Sequence, residues 1–135
     1  KTHEFDSKNK IPKDTDIYII NSYGKTKSIY NACNNVFLGG SLINHGGQNP
    51  LEAARYNCNI LHGPNVGNFK EIYSYLRNMN VSFKTHNTSQ LSKRLNQLLS
   101  KKNNSNNIKL KLKKTGDKIL NNSYKEINKL LINEF

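Results

Sequence analysis

The sequence predicts an α/β domain, a parallel sheet flanked by helices, and three observations carry that expectation. Short apolar runs rich in β-branched residues recur at Asp16-Ile17-Tyr18-Ile19-Ile20, Val36-Phe37-Leu38 and Asn59-Ile60-Leu61. Segments with helical spacing of apolar residues alternate with them. Glycine breaks, Gly39-Gly40 and Gly63-Pro64, close two of the runs. Buried strands alternating with helices favour a parallel sheet covered on both faces.

Along the chain, residues 1–15 are polar and read as a connecting loop. The run at 16–20 fits a buried strand, Asn21-Ser22-Tyr23-Gly24 a turn, and Lys25 to Asn34 a short helix. Asn49-Pro50-Leu51-Glu52 has the grammar of a helix start. Asn49 can cap, Pro50 suits the first helical position, and Glu52 falls where a capping-box carboxylate sits. That helix should run to about Tyr56, before the strand at 59–61. From Asn68 or Phe69 to Asn78 the spacing gives an amphipathic helix with Phe69, Ile72, Tyr73 and Leu76 on one face. A fourth strand is expected at Val81–Lys84, then a helix capped by Thr88 or Ser89 and carrying Leu91, Leu95, Leu98 and Leu99. Residues 101–107 (KKNNSNN) read as a polar linker. Within the tail, 108–135, lysines alternate with Ile108, Leu110 and Leu112, which leaves 108–114 ambiguous, whereas Ile119, Leu120, Tyr124, Ile127, Leu130 and Leu131 have helical spacing.

The chain has 135 residues, enough for one core, and no apolar run long enough to span a bilayer. Its formal charge of +12, from 21 basic and 9 acidic residues, favours anionic partners. Almost all of that charge is Lys, with Asn equally over-used, as an AT-rich genome would produce; only Arg55, Arg77 and Arg94 are arginines. Nucleic-acid binding is therefore not expected, since it would call for arginines and aromatics clustered together. Cys33 and Cys58 lack CxxC spacing and paired histidines, so a reduced chain without structural zinc is the simplest reading.

The densest chemistry lies in residues 37–69. Gly39-Gly40-Ser41 follows a strand and Gly46-Gly47 precedes a helix, so backbone amides at both could converge on a phosphate. The plainer alternative is that these glycines only permit tight turns. Glu52 could cap its own helix, or accept hydrogen bonds from ribose hydroxyls as acidic residues do in many nucleotide folds. His45 and His86 read as surface residues, and His62 could approach a ligand's carboxylate. No Ser-His-Asp order, metal cluster or paired carboxylates stand out; Asp14, Asp16 and Asp117 are isolated.

Gly39-Gly40-Ser41-Leu42, then His45-Gly46-Gly47-Gln48-Asn49-Pro50-Leu51-Glu52, then Gly63-Pro64 and Asn68-Phe69, resemble the C-terminal half of 3-deoxy-D-manno-octulosonic acid (Kdo) transferases. The likeness is dense over residues 16–72. It implies the C-terminal, Rossmann-like half of a GT-B glycosyltransferase: one nucleotide-sugar-binding domain over 1–135, with an acceptor half, membrane anchor and catalytic base lying in an absent N-terminal portion. It implies CMP-Kdo as donor substrate, no cofactor and no obligatory metal. The donor would be held by Tyr23, Gly24, Lys25, Gly40, Ser41, Gly46, Gly47, Asn49, Pro50, Leu51 and Glu52. The family usually carries an acidic residue where Lys25 stands and Asp where Asn21 stands. The whole enzyme would move Kdo to the lipid A precursor (lipid IVA) at the cytoplasmic face of the bacterial inner membrane. The C-terminal helix would pack across the two halves, or lie on anionic lipid as a peripheral contact. Three other readings stay open: a non-catalytic remnant, a GT-B enzyme with a uridine donor, and a basic nucleic-acid-binding module.

Overall fold

A computed structural model describes residues 1–6, 8, 10–100 and 108–132. The expected linker at 101–107 lies outside these residues. Three short parallel strands form the centre: β3 (Asn35–Leu38), β4 (Asn59–His62) and β5 (Ser82–Lys84), in the order β3-β4-β5. Val36 pairs with Ile60, and Ile60 with Ser82. Ahead of them, β1 (Thr2–Glu4) and β2 (Ile17–Ile19) make a separate two-stranded parallel ribbon, followed by α1 (Thr26–Ala32).

The crossovers are α2 (Leu51–Arg55) between β3 and β4, and α3 (Lys70–Asn78) between β4 and β5, the latter entered through a tight turn at Gly67–Phe69. Both helices stop on an asparagine in the left-handed conformation, Asn57 at φ 60° and Asn80 at φ 58°. In each case the next residue folds back onto the helix: Cys58 N–H bonds to Ala53 O at 3.2 Å and Val81 N–H to Leu76 O at 3.0 Å. This is the closure that glycine usually supplies, and asparagine tolerates it best among other residues. The chain leaves each cap straight into a strand.

Apolar burial follows from that geometry. Ala53, Ala54, Cys58, Ile60, Tyr73 and Leu76 are wholly buried in one cluster with Leu38, Val66, Val81 and Ile108. The face anticipated on the 69–78 helix is thus the one that packs. Alternate strand residues face the other way, where Leu61 is buried and Phe83, its register partner, lies under the Arg94 guanidinium at 5.3 Å. Arg94 belongs to α4 (Thr88–Leu99), which covers this second face. The α4 cap is Asn87, not Thr88 or Ser89: its Oδ1 accepts Gln90 N–H at 2.9 Å while Gln90 Oε1 accepts His86 N–H at 2.9 Å. Asparagine with an extended backbone presents its oxygen to the first free amides, and the reciprocal Gln bond completes a box-like cap.

Two expectations about the N-terminal part change. Residues 1–15 are not all loop, because Thr2–Glu4 pairs with Ile17–Ile19 through backbone bonds that place no demand on polar side chains. Ile17 and Ile19 were expected to be buried, yet they are 59% and 44% exposed, since nothing covers that face of the ribbon among the described residues.

The ambiguous stretch at 108–114 joins the tail in a single helix, α5 (Ile108–Ile132). Its start is held by Lys109 N–H on Asn57 Oδ1 at 3.3 Å and by Tyr75 Oη with Thr115 Oγ1 at 2.8 Å. A groove of about 690 Å³ opens between α2, α3 and α5, lined by Leu51, Ile72, Tyr75 and Leu112. Ile119, at the end of this groove, and Leu120, Tyr124, Ile127, Leu130 and Leu131 beyond it are exposed. No described helix is long and apolar enough to cross a membrane.

Candidate functional site

The candidate site is built from the loops that leave the C-terminal ends of β3 and β4, where open parallel sheets characteristically bind ligands. Gly40, Gly46 and Gly47 all have positive φ, 67°, 89° and 75°. Gly47 N–H bonds to Gly40 O at 3.2 Å, so the two glycine pairs are brought into contact. Each glycine also makes room for a neighbour. A side chain at Gly46 would start 2.5 Å from Asn68 Nδ2, and one at Gly40 would start 3.0 Å from His45 Cδ2.

Ser41 locks the first loop to the second. It is fully buried, its hydroxyl donates to Leu38 O at 2.6 Å and it accepts Gly63 N–H at 2.8 Å. Asn65 N–H bonds to Ser41 O at 2.9 Å. At Gly63 a Cβ would sit 2.1 Å from Ser41 O, so only glycine admits this approach. The Ser41 hydroxyl is therefore engaged by two backbone groups of the fold. Tyr73 supports the same region from below: its buried hydroxyl donates to Gln48 O at 2.9 Å, and burial pushes its pKa up to about 12.

Downstream, Asn49 Oδ1 accepts Leu51 N–H at 3.0 Å, Pro50 is buried, and Leu51 turns into the groove beside α5. The reciprocal capping bond from Glu52 is not formed. Half-buried Glu52 makes no hydrogen bond or ion pair within the described residues, and its charge, after burial itself, helps raise the Tyr30 phenol pKa. A partly desolvated, uncommitted carboxylate at a loop–helix junction is suited to accept from hydroxyl groups.

The upstream turn is placed differently. Tyr23 is wholly exposed, Gly24 has φ 77°, and the Lys25 ammonium lies 5.2 Å from the Phe5 ring centroid, above its face. None of the three has a hydrogen bond to the 39–52 loop. His62 is buried, with Nδ1 2.7 Å from Gly63 O and its ring 4.2 Å from Tyr73, so it does not reach a ligand from this position. Burial, the largest influence, lowers its pKa and keeps it neutral. Cys58 is likewise buried, with its thiol pushed up to about 11. Among the described residues no group of three or more His, Cys, Asp or Glu side chains could hold a metal ion.

A pocket of about 480 Å³ completes the site, bounded by Asn44, His45 and Gly46 on one side and Pro64, Asn65 and Asn68 on the other. Asn44 and Asn65 were not anticipated from sequence. Their only signal was position, each within two or three residues of a glycine break.

A similar arrangement occurs among solved structures. The chain matches the C-terminal CMP-Kdo binding domain of WaaA from Acinetobacter baumannii with a TM-score of 0.68 and 27% identity, over 73% of this chain and 52% of that one. The chain is a relative of the Kdo transferases. It is 31% identical over 98 residues to the 3-deoxy-D-manno-octulosonic acid transferase of Haemophilus influenzae, covering 71% of this chain and 23% of that protein. With the Rickettsia prowazekii transferase it shares 31% over 123 residues, 90% of this chain and 26% of the other. It therefore spans about a quarter of the length of the curated relatives it matches. No family model matches the chain. Its architecture is the C-terminal half of the GT-B fold, as the glycine-loop resemblance implied.

Proposed function

We propose that this chain is the donor-binding part of a Kdo transferase, holding CMP-Kdo at the loops that follow β3 and β4. The observation that carries this reading is the Ser41–Gly63 lock, which presses two glycine loops together beside an uncommitted Glu52. In this arrangement Glu52 accepts from ribose hydroxyls, and the backbone at Gly40, Gly46 and Gly47 approaches the phosphate closely. Asn49 and Pro50 fix the entry into α2, which sets the direction of Glu52. Tyr23, Gly24 and Lys25 contribute once the nucleotide draws Lys25 off Phe5. The chemical base is assigned to no residue of this chain.

The acceptor on this reading is the lipid A precursor, engaged by the remainder of a longer protein at the cytoplasmic face of the inner membrane. The basic balance supports that setting, as does α5, where Lys111, Lys114, Lys118, Lys125 and Lys129 fall on one stripe at 3.6 residues per turn. A non-catalytic remnant is the second reading, favoured by Lys25 lying over Phe5 instead of facing the loop cluster.

The test is an NMR titration of the chain with CMP, using UMP as control. Saturable, CMP-selective shifts over residues 39–52, weakened tenfold or more (about 1.4 kcal/mol) by Glu52→Ala, are expected. A dispersed spectrum that ignores both nucleotides would leave the remnant reading standing and remove this one.

A further inference from the structure

His62 ends β4 wholly buried, with its ring centroid 4.2 Å from that of Tyr73. Its Nδ1 lies 2.7 Å from Gly63 O, and a carbonyl can only accept, so the proton of the neutral ring sits on Nδ1. Nε2 is left as a bare lone pair, buried and without a hydrogen-bond partner among the described residues. The path from this ring to the glycine loop is short. Thr85 donates its N–H and its hydroxyl to His62 O at 2.8 and 3.1 Å, which fixes the backbone beneath the imidazole. Tyr73, held against the ring, donates its own hydroxyl to Gln48 O at 2.9 Å. Gln48 follows Gly46-Gly47 and precedes the Asn49–Leu51 turn. One side chain therefore separates His62 from the backbone of that loop.

A proton on Nε2 would create a buried cation whose new N–H has no acceptor. Of the elements packed on β4, β3 carries no titratable group, α2 carries half-buried Glu52 and exposed Arg55, and α4 carries Lys93 and Arg94. From α3 come Tyr73 and Arg77, and from β5 comes Lys84, the register partner of His62. Burial is the largest influence disfavouring the charged ring, and the nearby positive charges of Arg77 and Lys84 add to it. Ser82 Oγ, also unpartnered and on the same face of the sheet, is neutral and offsets no charge. The π face of Tyr73 attracts a cation only weakly beside the cost of burying one. We infer that neutral His62 is a positioning residue for the 46–52 loop, bracing Tyr73 so that its hydroxyl holds Gln48, and that a proton on the imidazole releases this loop while the sheet stays folded. That release weakens nucleotide binding on acidification, a consequence that rests on the donor-binding reading above.

The experiment follows the full chain by NMR, without ligand, from neutral pH down to the onset of unfolding. The His62 ring is read through its nitrogen resonances and the loop through the Gly47 and Gln48 amides. The expected result is that both amides move along the titration curve of His62 while the Val36 and Ile60 amides of the sheet stay in place. Tyr73→Phe keeps the ring contact and removes only the hydroxyl, so His62 should still titrate and the loop should cease to follow it. A histidine that is merely structural would titrate with the loop amides unmoved, and that result would overturn the inference. So would a loop that moves only when the whole chain unfolds, or one that still follows His62 in Tyr73→Phe. CMP tests the consequence separately. Its phosphate also takes up a proton near pH ~6, so the wild type is compared with His62→Phe, which meets the same phosphate without the imidazole. Below the His62 titration the wild type should lose up to about tenfold in affinity per pH unit beyond the loss in the variant, the limit for one linked proton. Equal pH dependence in the two proteins would overturn the link to binding. Loop movement in a chain that binds no CMP at neutral pH would mark failure of the donor reading and leave the positioning role of His62 supported.

Discussion

Replacing Ser41 by Ala separates a residue that binds a ligand from one that locks a fold. Its buried hydroxyl serves two backbone groups at once, the Leu38 carbonyl at 2.6 Å and the Gly63 amide at 2.8 Å. Ser41→Ala removes only the oxygen, so both groups are orphaned in an interior where water does not reach them. Each buried orphan costs roughly 1–3 kcal/mol, and allowing for partial relaxation we expect a loss of about 2–4 kcal/mol. Chains of this kind unfold with an entropy near 2.1 cal/mol/K per residue, roughly 0.28 kcal/mol/K for 135 residues. The melting temperature should therefore fall by about 7–14 °C. Thermal and urea unfolding followed by far-UV circular dichroism, with coincidence of a second probe to check two-state behaviour, would read it. A Ser41→Ala chain that melts within about 2 °C of the wild type, yet binds CMP more weakly, would refute the lock and return Ser41 to the ligand.

The other expectations follow the same geometry. Gly63→Ala puts a Cβ 2.1 Å from a backbone oxygen that cannot swing away, so we expect at least the upper end of the usual ~1–3 kcal/mol for overpacking, read as a lowered urea midpoint. Tyr73→Phe leaves the Gln48 carbonyl without its donor and should cost about 1–2 kcal/mol while speeding amide exchange at Gly47. His62 is buried neutral with its pKa lowered, so its unfolded form binds a proton more readily than its folded form. Its contribution to stability is full above the unfolded pKa of about 6.5 and is lost as pH falls through the lower folded value. Urea midpoints measured from about pH 7.5 down to 5 should decline, and His62→Phe should flatten part of that decline, leaving the slope unchanged only if His62 is not the group responsible.

What the sequence disclosed depended on how local each signal was. The central strands announced themselves as apolar β-branched runs, and the 70–78 helix as a 3.6-residue stripe ending in Tyr73 and Leu76. β1 gave no such sign, because Thr2, His3 and Glu4 pair through their backbone alone. Asn57 and Asn80 were not legible as helix stops, since asparagine is common throughout this chain and the left-handed turn usually shows itself as glycine. In the site, the glycine pairs and the Asn49–Leu51 turn could be read from neighbouring residues. The Ser41–Gly63 contact could not: its partners are 22 positions apart and meet only after two parallel strands have aligned. That alignment also gave the Ser41 hydroxyl two backbone partners that its type and place, which suggested a ligand contact, did not reveal. Glu52 stayed ambiguous for the opposite reason, as its capping and binding readings share one helix start and only the unmade capping bond distinguishes them.

β3 stands at the border of its sheet and contains Asn35, Val36, Phe37 and Leu38, with neither a charge nor a proline among them. Phe37 on this strand is 40% exposed. Proteins ordinarily blunt such a border with lysine, proline or a bulge, because a bare row of amides and carbonyls is a template for another strand. At four residues β3 is a short template for another strand, and a net charge of +12 keeps copies of the polypeptide apart, so length and charge blunt this border where lysine and proline do not.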